Sequence, residues 1–211
     1  MRGTSQGAGI VLHEAARYDL LVWLATLGRE RALRERIVDL ARLEPGESVL
    51  DVGCGTGSLV IAAKRRVGDA GIVHGIDASL EMLTRASRKA HKAGADVNFE
   101  SALAQALSYA DARFDAVLAT MMFHHLPRRV RLDCVREMRR VAKPGGRVLI
   151  VDFGRPARQE RNLFTRFHRH GHVDFGEVSA LLGEAGLQCV ETGPVGFGDL
   201  QFAFAMVAGG T

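Results

Sequence analysis

The chain has 211 residues, of which 47% are hydrophobic and 25% charged, fractions that are typical of a soluble globular protein. This composition excludes a disordered chain, a collagen-like repeat and a coiled coil, and no apolar run approaches the ~20 residues of a membrane-spanning helix. Arg2 is followed by a Gly/Ser/Gln stretch rather than by an apolar signal-peptide core, so we expect a cytoplasmic protein.

The net charge of +4 is unevenly distributed, because residues 128–169 contain 13 Lys and Arg but only four acidic residues. Such a stretch can be a solvated helix face, or it can contact an anionic membrane, a nucleic acid or an acidic substrate. No aromatic residue lies among the charges of 128–147, as base stacking would require, and this disfavours nucleic acid.

The three cysteines, Cys54, Cys134 and Cys189, are widely spaced and form no C-x-x-C pair. We therefore expect free and largely buried thiols, with no zinc site and no disulfide framework. This pattern also agrees with a reducing compartment.

Strand and helix patterns alternate along the chain, which predicts a mostly parallel sheet with helices on both faces. Helices are predicted over 11–27, 30–43, 58–66, 79–93, 127–142 and 175–185, and strands over 48–52, 71–77, 96–100, 114–120, 147–153, 187–192 and 201–207. The last two strands lie too close in sequence for a parallel crossover, so we expect them to be antiparallel. The predicted fold class is therefore α/β, a Rossmann-like, open, seven-stranded and mostly parallel sheet with N-terminal helices and a C-terminal antiparallel hairpin.

The strongest motif is Asp51-Val52-Gly53-Cys54-Gly55-Thr56-Gly57, between a predicted strand and a predicted helix. Glycines at such a point allow a tight turn and let a ligand approach the backbone closely. Asp77 ends the next predicted strand, where a carboxylate can accept both hydroxyls of a ribose. The motif therefore indicates a nucleoside-containing ligand rather than a plain turn.

The residues of this loop discriminate between nucleoside cofactors. The dinucleotide fingerprint G-x-G-x-x-G/A requires Gly or Ala where this chain has Ser58. Asp51 would repel a pyrophosphate, whereas it would attract an ammonium and a sulfonium group. The loop therefore favours S-adenosylmethionine over NAD.

With these residues the sequence resembles the class I S-adenosylmethionine-dependent methyltransferases, and among them the ubiquinone/menaquinone C-methyltransferases. The resemblance extends from about Tyr18 to Phe153, and the matching segments are VLDVGCGTG (49–57), GIDAS (75–79), FDAVLATMMFHHL (114–126) and RRVAKPGGRVLIVDF (139–153). It implies a single domain over 1–211, with a helical cap in 1–45, a cofactor-binding core in 46–154, and a substrate lid with the hairpin in 155–211.

The resemblance also implies the contacts with S-adenosylmethionine. They are Tyr18, from a helix that closes over the cofactor; Asp51, near its amino-acid end; the loop residues Gly53, Cys54, Gly55 and Gly57; Asp77, on the ribose; Ala78, Ser101 and Ala102, at the adenine; and Met121.

The chain departs from the family's pattern at the adenine position and in the last core motif, among other places. Ser101 stands where relatives commonly have an aspartate that accepts the adenine amino group, and a hydroxyl accepts more weakly. Asp152-Phe153-Gly154 replaces the glutamate-x-serine with which the quinone methyltransferases end their last core motif. Methyl transfer is therefore favoured, and the identity of the acceptor is left open among quinols, phenols, lipids and similar small molecules.

The segment after the fourth predicted strand is Thr120-Met121-Met122-Phe123-His124-His125, and it lacks the Asp/Asn-Pro-Pro-aromatic motif of enzymes that methylate base amino groups. An apolar wall that includes Phe123 suits a flat or greasy substrate, although each of these residues is alternatively ordinary core. His124 and His125 are candidate general bases for an acceptor that must lose a proton. Their alternative roles are capping of the next helix or a hydrogen bond to the cofactor.

His168, His170 and His172 alternate in the segment that the related enzymes use as part of the substrate lid. Alternate positions share one face of an extended segment, so these side chains are candidates to line the substrate site. The alternatives are a plain polar loop and a metal site, and we expect no metal because a fourth ligand is not near in sequence.

Two other functions are left open by the sequence. The chain could bind the cofactor without transferring methyl, as a regulatory or assembly subunit, or it could be an NAD(P)-dependent oxidoreductase, which Ser58 and Asp51 disfavour. Turnover tests the first alternative and cofactor titration tests the second.

Overall fold

Helices and strands alternate along the computed structural model, which describes residues 29–154 and 172–209. The helices are α1 (Glu30–Leu40), α2 (Ser58–Val67), α3 (Leu80–Lys92), α4 (Arg128–Val141) and α5 (Phe175–Glu184), with a 3-10 turn at Phe123–His125. The strands are β1 (Ser48–Val52), β2 (Ile72–Asp77), β3 (Asn98–Ser101), β4 (Phe114–Thr120), β5 (Ala142–Phe153), β6 (Leu187–Pro194) and β7 (Leu200–Val207). The helix predicted over 11–27 lies outside the described residues.

These described strands form one sheet in the order β3-β2-β1-β4-β5-β7-β6. The strands from β1 to β5 pair in parallel, and β7 pairs antiparallel with both β5 and β6. The predicted fold class, with its C-terminal hairpin, is therefore confirmed. The strand order reverses between β1 and β4, so the loops after these two strands flank the point at which ligands bind in such sheets.

Apolar strand residues alternate between two hydrophobic cores, one on each face of the sheet. Leu50 and Val52 of β1 belong to the core that α4 and α5 cover, whereas Val49 belongs to the core that α1 and α2 cover. Leu33 and Ile37 of α1 are fully buried in this second core. Their burial holds α1 against the elements that carry the glycine-rich loop.

Two element boundaries differ from the predicted ones. Helix α1 ends at Leu40 rather than at residue 43, and Arg42 just beyond it takes a left-handed φ of +53°. Strand β5 begins at Ala142 rather than at residue 147, because Ala142 already pairs with Phe114 ahead of a bulge. The segment 143–146, between the predicted helix and the predicted strand, is thus part of this bulged strand.

In the described part of the basic stretch, residues 128–154, acidic residues from several elements pair with much of the positive charge. The ion pairs are Arg128–Glu177 (3.3 Å), Arg136–Glu184 (3.5 Å), Arg140–Asp111 (2.7 Å), Lys143–Asp115 (2.8 Å) and Arg147–Glu47. Partly exposed pairs of this kind contribute only about 0–1 kcal/mol each to stability. They nevertheless reduce the positive electrostatic potential that the sequence alone suggests for this stretch. Among the described helices, none combines the length and the hydropathy that crossing a bilayer requires.

Candidate functional site

The glycine-rich loop leaves β1 and folds onto the end of β2. The backbone N–H groups of Gly53 and Cys54 both donate to the carbonyl oxygen of Ile76, each at 2.8 Å. The N–H of Gly57 donates to the carbonyl of Cys54 at 3.0 Å, which closes the turn before α2 begins. The loop is therefore a fixed structure whose backbone lies at the carboxyl edge of the sheet.

Glycine is required at two positions of this loop. Gly53 has a φ of +72°, and a Cβ placed on it would lie 2.8 Å from Cβ and Cγ of Met122. Gly57 has a φ of +77°, and a Cβ there would lie 2.9 Å from the methyl group of Ala86 in α3. Both residues need a backbone conformation that L side chains rarely adopt, and neither has room for a side chain.

The carboxylate of Asp77 bridges the glycine-rich loop and the start of α3. The N–H of Gly55 donates to its Oδ2 at 2.9 Å, and the N–H of Ser79 donates to its Oδ1 at 2.8 Å. A carboxylate oxygen has more than one acceptor site, so each oxygen can still accept a hydroxyl. This geometry orients Asp77 for a ligand that carries two neighbouring hydroxyl groups.

Two buried charged side chains with unsatisfied atoms lie next to the loop. Asp51 is 1% exposed and its Oδ1 has no hydrogen-bond partner; Arg34 of α1 is 7% exposed and its Nε has none. Burial raises the pKa of Asp51 to about 7, while the nearby Arg34 opposes this rise and the carboxylate of Asp77 adds to it. Arg34 also lines a pocket together with Gly53, Cys54, Thr56, Ser58, Leu59 and Thr120. The guanidinium of Arg34 also lies 3.6 Å from the carboxylate of Glu30. Buried polar atoms are normally paired, so Nε of Arg34 and Oδ1 of Asp51 are available to a charged ligand.

The residues expected at the adenine follow β2 and β3. Ala78 and Ser101 are exposed, and the N–H of Ala102 donates to the carbonyl of Asp77 at 3.3 Å. Two large apolar side chains close to them in sequence are also exposed, Leu80 by 69% and Leu103 by 41%. Such exposure of leucine next to a loop cluster favours a flat apolar group as partner.

The turn after β4 has a strained backbone. Met121 is buried and has a φ of +51°, which is uncommon for a residue with a side chain, and its N–H donates to the carbonyl of Val151 at 2.8 Å. This turn brings Met122 onto Gly53 and starts the 3-10 turn of Phe123–His125. Strain of this type concentrates at functional sites.

His124 and His125 have different surroundings. Nδ1 of His124 lies 2.6 Å from Oδ1 of Asp152, and the backbone N–H of His124 donates to Oδ2 of the same carboxylate at 3.0 Å. The two imidazole rings are stacked at a tilt, with centroids 3.8 Å apart, and Phe153 meets the ring of His124 edge-on at 5.5 Å. The imidazole of His124 therefore contacts a buried carboxylate, that of Asp152.

Two other predicted site residues, Phe123 and Cys54, have buried side chains. Phe123 is fully buried in the hydrophobic core, with the guanidinium of Arg131 over its ring, so it does not present a surface to a substrate as we had expected. The Cys54 thiol is buried against Gly75 of β2, and burial raises its pKa well above the ordinary value, which makes it a poor nucleophile.

Three of the predicted site residues, Tyr18, His168 and His170, lie outside the described residues. His172 is described and half-buried just before α5. Within 29–154 and 172–209, no three His, Cys, Asp or Glu side chains are grouped so that they could hold a metal ion. The role of the alternating histidines therefore stays a prediction.

Comparison with known proteins identifies the family. Residues 49–146 match a family model described as a methyltransferase domain. The ubiquinone/menaquinone biosynthesis C-methyltransferase UbiE of Bdellovibrio bacteriovorus is 36% identical over 140 residues, which are 66% of this chain and 58% of that protein. The 27-O-demethylrifamycin SV methyltransferase of Amycolatopsis mediterranei is 36% identical over 165 residues, which are 74% of this chain and 59% of that protein.

A solved structure agrees with these relatives. An S-adenosylmethionine-dependent methyltransferase from Aquifex aeolicus matches with a TM-score of 0.73 and 25% identity, covering 93% of this chain and 100% of that one. The curated relatives are 32–36% identical, and the chain spans 57–74% of their length. The chain belongs to the class I S-adenosylmethionine-dependent methyltransferases. The resemblance stated from its sequence is thereby confirmed.

The site of this methyltransferase fits the cofactor of its family. The amino-acid end of S-adenosylmethionine carries an ammonium and a carboxylate, and the unsatisfied atoms of Asp51 and Arg34 provide one opposite charge for each. Its ribose has the two neighbouring hydroxyls for which Asp77 is oriented. The residues present therefore match the ligand's charges as well as its hydrogen-bonding groups.

Two residues of this methyltransferase site were missed from the sequence. Arg34 lies in a helix with no motif, and nothing in its own segment distinguishes it from the seven other cations between residues 29 and 66. Asp152 did have a signal, because an acid at the carboxyl end of a predicted strand lies at the ligand-binding edge of the sheet. In the sequence, Asp152 stands out only as a departure from the family's glutamate.

Proposed function

We propose that this chain transfers the methyl group of S-adenosylmethionine to a small-molecule acceptor by in-line displacement. The observation that carries the proposal is that two buried side chains of opposite charge next to the glycine-rich loop each have an atom without a hydrogen-bond partner, Oδ1 of Asp51 and Nε of Arg34, and that Arg34 lines the adjoining pocket. Two opposite charges at that place suit a zwitterion, and a pyrophosphate would meet the carboxylate of Asp51 directly. This favours S-adenosylmethionine over a dinucleotide.

In this proposal, different residues of the site contact different parts of the cofactor. Asp51 would accept the ammonium, Arg34 would donate to the carboxylate, and Asp77 would accept the ribose hydroxyls. The backbone of the glycine-rich loop, through Gly53, Cys54, Gly55 and Gly57, would lie under the cofactor. Ala78, Ser101, Ala102, Leu80 and Leu103 would surround the adenine, and we propose that Tyr18 closes over it. Much of the rate enhancement in such a transfer comes from alignment of the two reactants, which these contacts provide.

For the acceptor we propose a small hydroxylated or quinol-like molecule. Two relatives support this proposal by their names, which are ubiquinone/menaquinone biosynthesis C-methyltransferase and 27-O-demethylrifamycin SV methyltransferase. The turn with Met121 and Met122 would face the acceptor, because it packs directly on the glycine-rich loop. His168, His170 and His172 stay candidates for the substrate lid. A cytoplasmic location and the absence of nucleic-acid partners also stay proposals.

The test is parallel calorimetric titration of the protein with S-adenosylmethionine, S-adenosylhomocysteine and NAD. We expect the first two to bind and NAD to give no heat beyond dilution. Binding of NAD alone would overturn the proposed function and support an oxidoreductase. Binding of S-adenosylmethionine without methyl transfer to any acceptor in a screen that begins with quinols and phenols would support the non-catalytic alternative.

A peripheral contact with an anionic membrane is the remaining proposal for the basic stretch. A lysine or arginine near such a surface contributes about 1 kcal/mol when it is free. Arg128, Arg136 and Arg140 each already have an acidic partner, which reduces that contribution. Flotation with vesicles of phosphatidylserine and phosphatidylcholine tests the contact, and absence of salt-dependent binding would remove it.

A further inference from the structure

The side chain of Lys89 extends from α3 to the glycine-rich loop. Its Nζ donates to Oγ of Ser58 at 2.9 Å and to Oγ1 of Thr56 at 3.2 Å. Thr56 is 3% exposed and Ser58 is half-buried, and both residues line the pocket that Arg34 also lines. The ammonium of Lys89 is therefore bonded to two hydroxyl groups of the pocket next to the loop.

The packing of α3 against the loop brings Lys89 to this position. A Cβ on Gly57 would lie 2.9 Å from the methyl group of Ala86, so α3 lies directly against the end of the loop. Lys89 follows Ala86 by three residues, and positions three apart lie on the same face of a helix. At the start of α3, the N–H of Ser79 donates to the carboxylate of Asp77. One helix thus contacts both Asp77 and the end of the glycine-rich loop.

The chemistry of an ammonium group sets the direction of these hydrogen bonds. A lysine ammonium has three N–H donors and no acceptor, so Oγ of Ser58 must accept from Lys89. A serine hydroxyl has a single hydrogen, which then points away from the lysine. Because Ser58 lines the pocket, that hydrogen can be donated to a ligand. A positive charge on the oxygen also polarises the O–H bond and strengthens its donation to an anion.

The positive groups around Ser58 favour an anion at this pocket. Ser58 is the first residue of α2, where the backbone N–H groups of a helix carry a partial positive charge. The ammonium of Lys89 is bonded to Ser58 itself, and Arg34, whose buried Nε has no hydrogen-bond partner, lines the same pocket. An anion that binds beside Arg34 and Ser58 is stabilised by all three positive groups.

We propose that the hydroxyl of Ser58 donates to the carboxylate of S-adenosylmethionine, and that Lys89 is the positioning residue that fixes the direction of this hydrogen bond. This inference rests on the proposed function, in which Arg34 contacts the same carboxylate. A carboxylate has about four acceptor sites, so it can accept from a guanidinium and from a hydroxyl together. The carboxylate of the cofactor is then recognised by residues of α1, α2 and α3.

A positioning role of Lys89 differs from a merely structural one in its dependence on the ligand. A lysine that only supports the loop contributes to the binding of every ligand of the site. A lysine that acts through Ser58 contributes only where the ligand has a carboxylate. S-adenosylhomocysteine and S-adenosyl-3-thiopropylamine differ in that group alone. Both have an uncharged sulfur, so repulsion between Lys89 and a sulfonium does not enter the comparison.

The experiment is calorimetric titration of the full chain with these two compounds, the second also in competition with the first. We expect Ser58→Ala to weaken binding of S-adenosylhomocysteine about 10-fold, and Lys89→Met about three- to tenfold, as for loss of a hydrogen bond to a charged group. Both variants should bind S-adenosyl-3-thiopropylamine within about twofold of the unmodified protein. Lys89→Arg keeps a charged group that only donates, and should restore binding of S-adenosylhomocysteine to within about threefold. Lys92→Met, at an exposed position of the same helix, is the matched control.

A double variant tests whether Lys89 acts through Ser58. Addition of Lys89→Met to Ser58→Ala should weaken binding of S-adenosylhomocysteine by less than the product of the two separate losses, because the hydrogen bond is already absent. Losses that multiply would mean that Lys89 contacts the ligand independently, and this would overturn its positioning role.

The outcomes separate this inference from the proposed function. Failure of the unmodified protein to bind S-adenosylhomocysteine would refute the proposed function. Where that binding is intact, an equal loss of affinity for both compounds, or unchanged affinity for S-adenosylhomocysteine in Ser58→Ala and Lys89→Met, would overturn the roles of Ser58 and Lys89 alone. If Lys89→Met fails to fold, Ser58→Ala decides the matter, because it removes one half-buried hydroxyl and leaves Lys89 in place.

Discussion

Replacement of Asp51 by Asn should make the cofactor-free protein more stable at neutral and alkaline pH, although it removes a residue of the binding site. Asp51 is completely buried, and its pKa is raised from 3.8 to about 7, mainly by burial. The unfolded chain loses this proton near pH 4, whereas the folded protein keeps it until about pH 7. Stability of the folded protein therefore falls as the pH rises between these values, and it stays lower above them.

The size of the effect follows from the shift. One pKa unit corresponds to about 1.4 kcal/mol, so ionised Asp51 costs the cofactor-free protein about 4 kcal/mol at pH 8. An asparagine does not ionise and avoids this cost. For a domain of this size the gain corresponds to a rise in Tm of roughly 10 °C.

The assay is urea denaturation of both proteins, free of cofactor, at pH 5 and pH 8. The advantage of Asp51→Asn should be roughly 3 kcal/mol larger at pH 8 than at pH 5, because Asp51 is mostly protonated at the lower pH. Addition of S-adenosylmethionine should raise the Tm of the unmodified protein more than that of the variant, since only the carboxylate pairs with the ammonium. Equal stability of the two proteins at pH 8, or a difference that does not change with pH, would refute this account of Asp51.

Three further predictions concern single positions. Arg34→Gln should weaken S-adenosylmethionine binding about 10- to 100-fold in calorimetry, as expected for loss of a charged hydrogen bond, whereas Arg31→Gln on the exposed face of α1 should not; equal affinities in both variants would remove Arg34 from the site. Gly53→Ala should abolish cofactor binding and lower the Tm more than Gly46→Ala does. Both glycines have a positive φ, but only Gly53 has a neighbour that a Cβ would overlap. An equal decrease in Tm in both variants would show that backbone strain alone causes the loss of stability. Ala112→Gly should raise the unfolding free energy by up to about 1 kcal/mol, since Ala112 has a φ of +54°, and a decrease in denaturation experiments would contradict this.

The sequence determined the parts of this protein that depend on neighbouring residues. The order strand, glycine-rich loop, helix located Gly53 and Gly57, because their conformation is set within a few residues. Asp77 was identified as a site residue because it ends the next strand. The short connection between β6 and β7 determined that these two strands form an antiparallel hairpin. Local patterns were therefore sufficient for the fold class and for the cofactor loop.

Only the tertiary structure decided the features that depend on distant residues. The charge excess of 128–169 was summed along the chain, but its acidic partners, such as Glu177 and Asp111, come from other elements. Arg34 reaches the site because the buried face of α1 packs beside α2, and Asp152 reaches His124 because β4 and β5 are adjacent in register. A sequence pattern records which face of an element is apolar, whereas the contacts between elements arise only when those faces pack together.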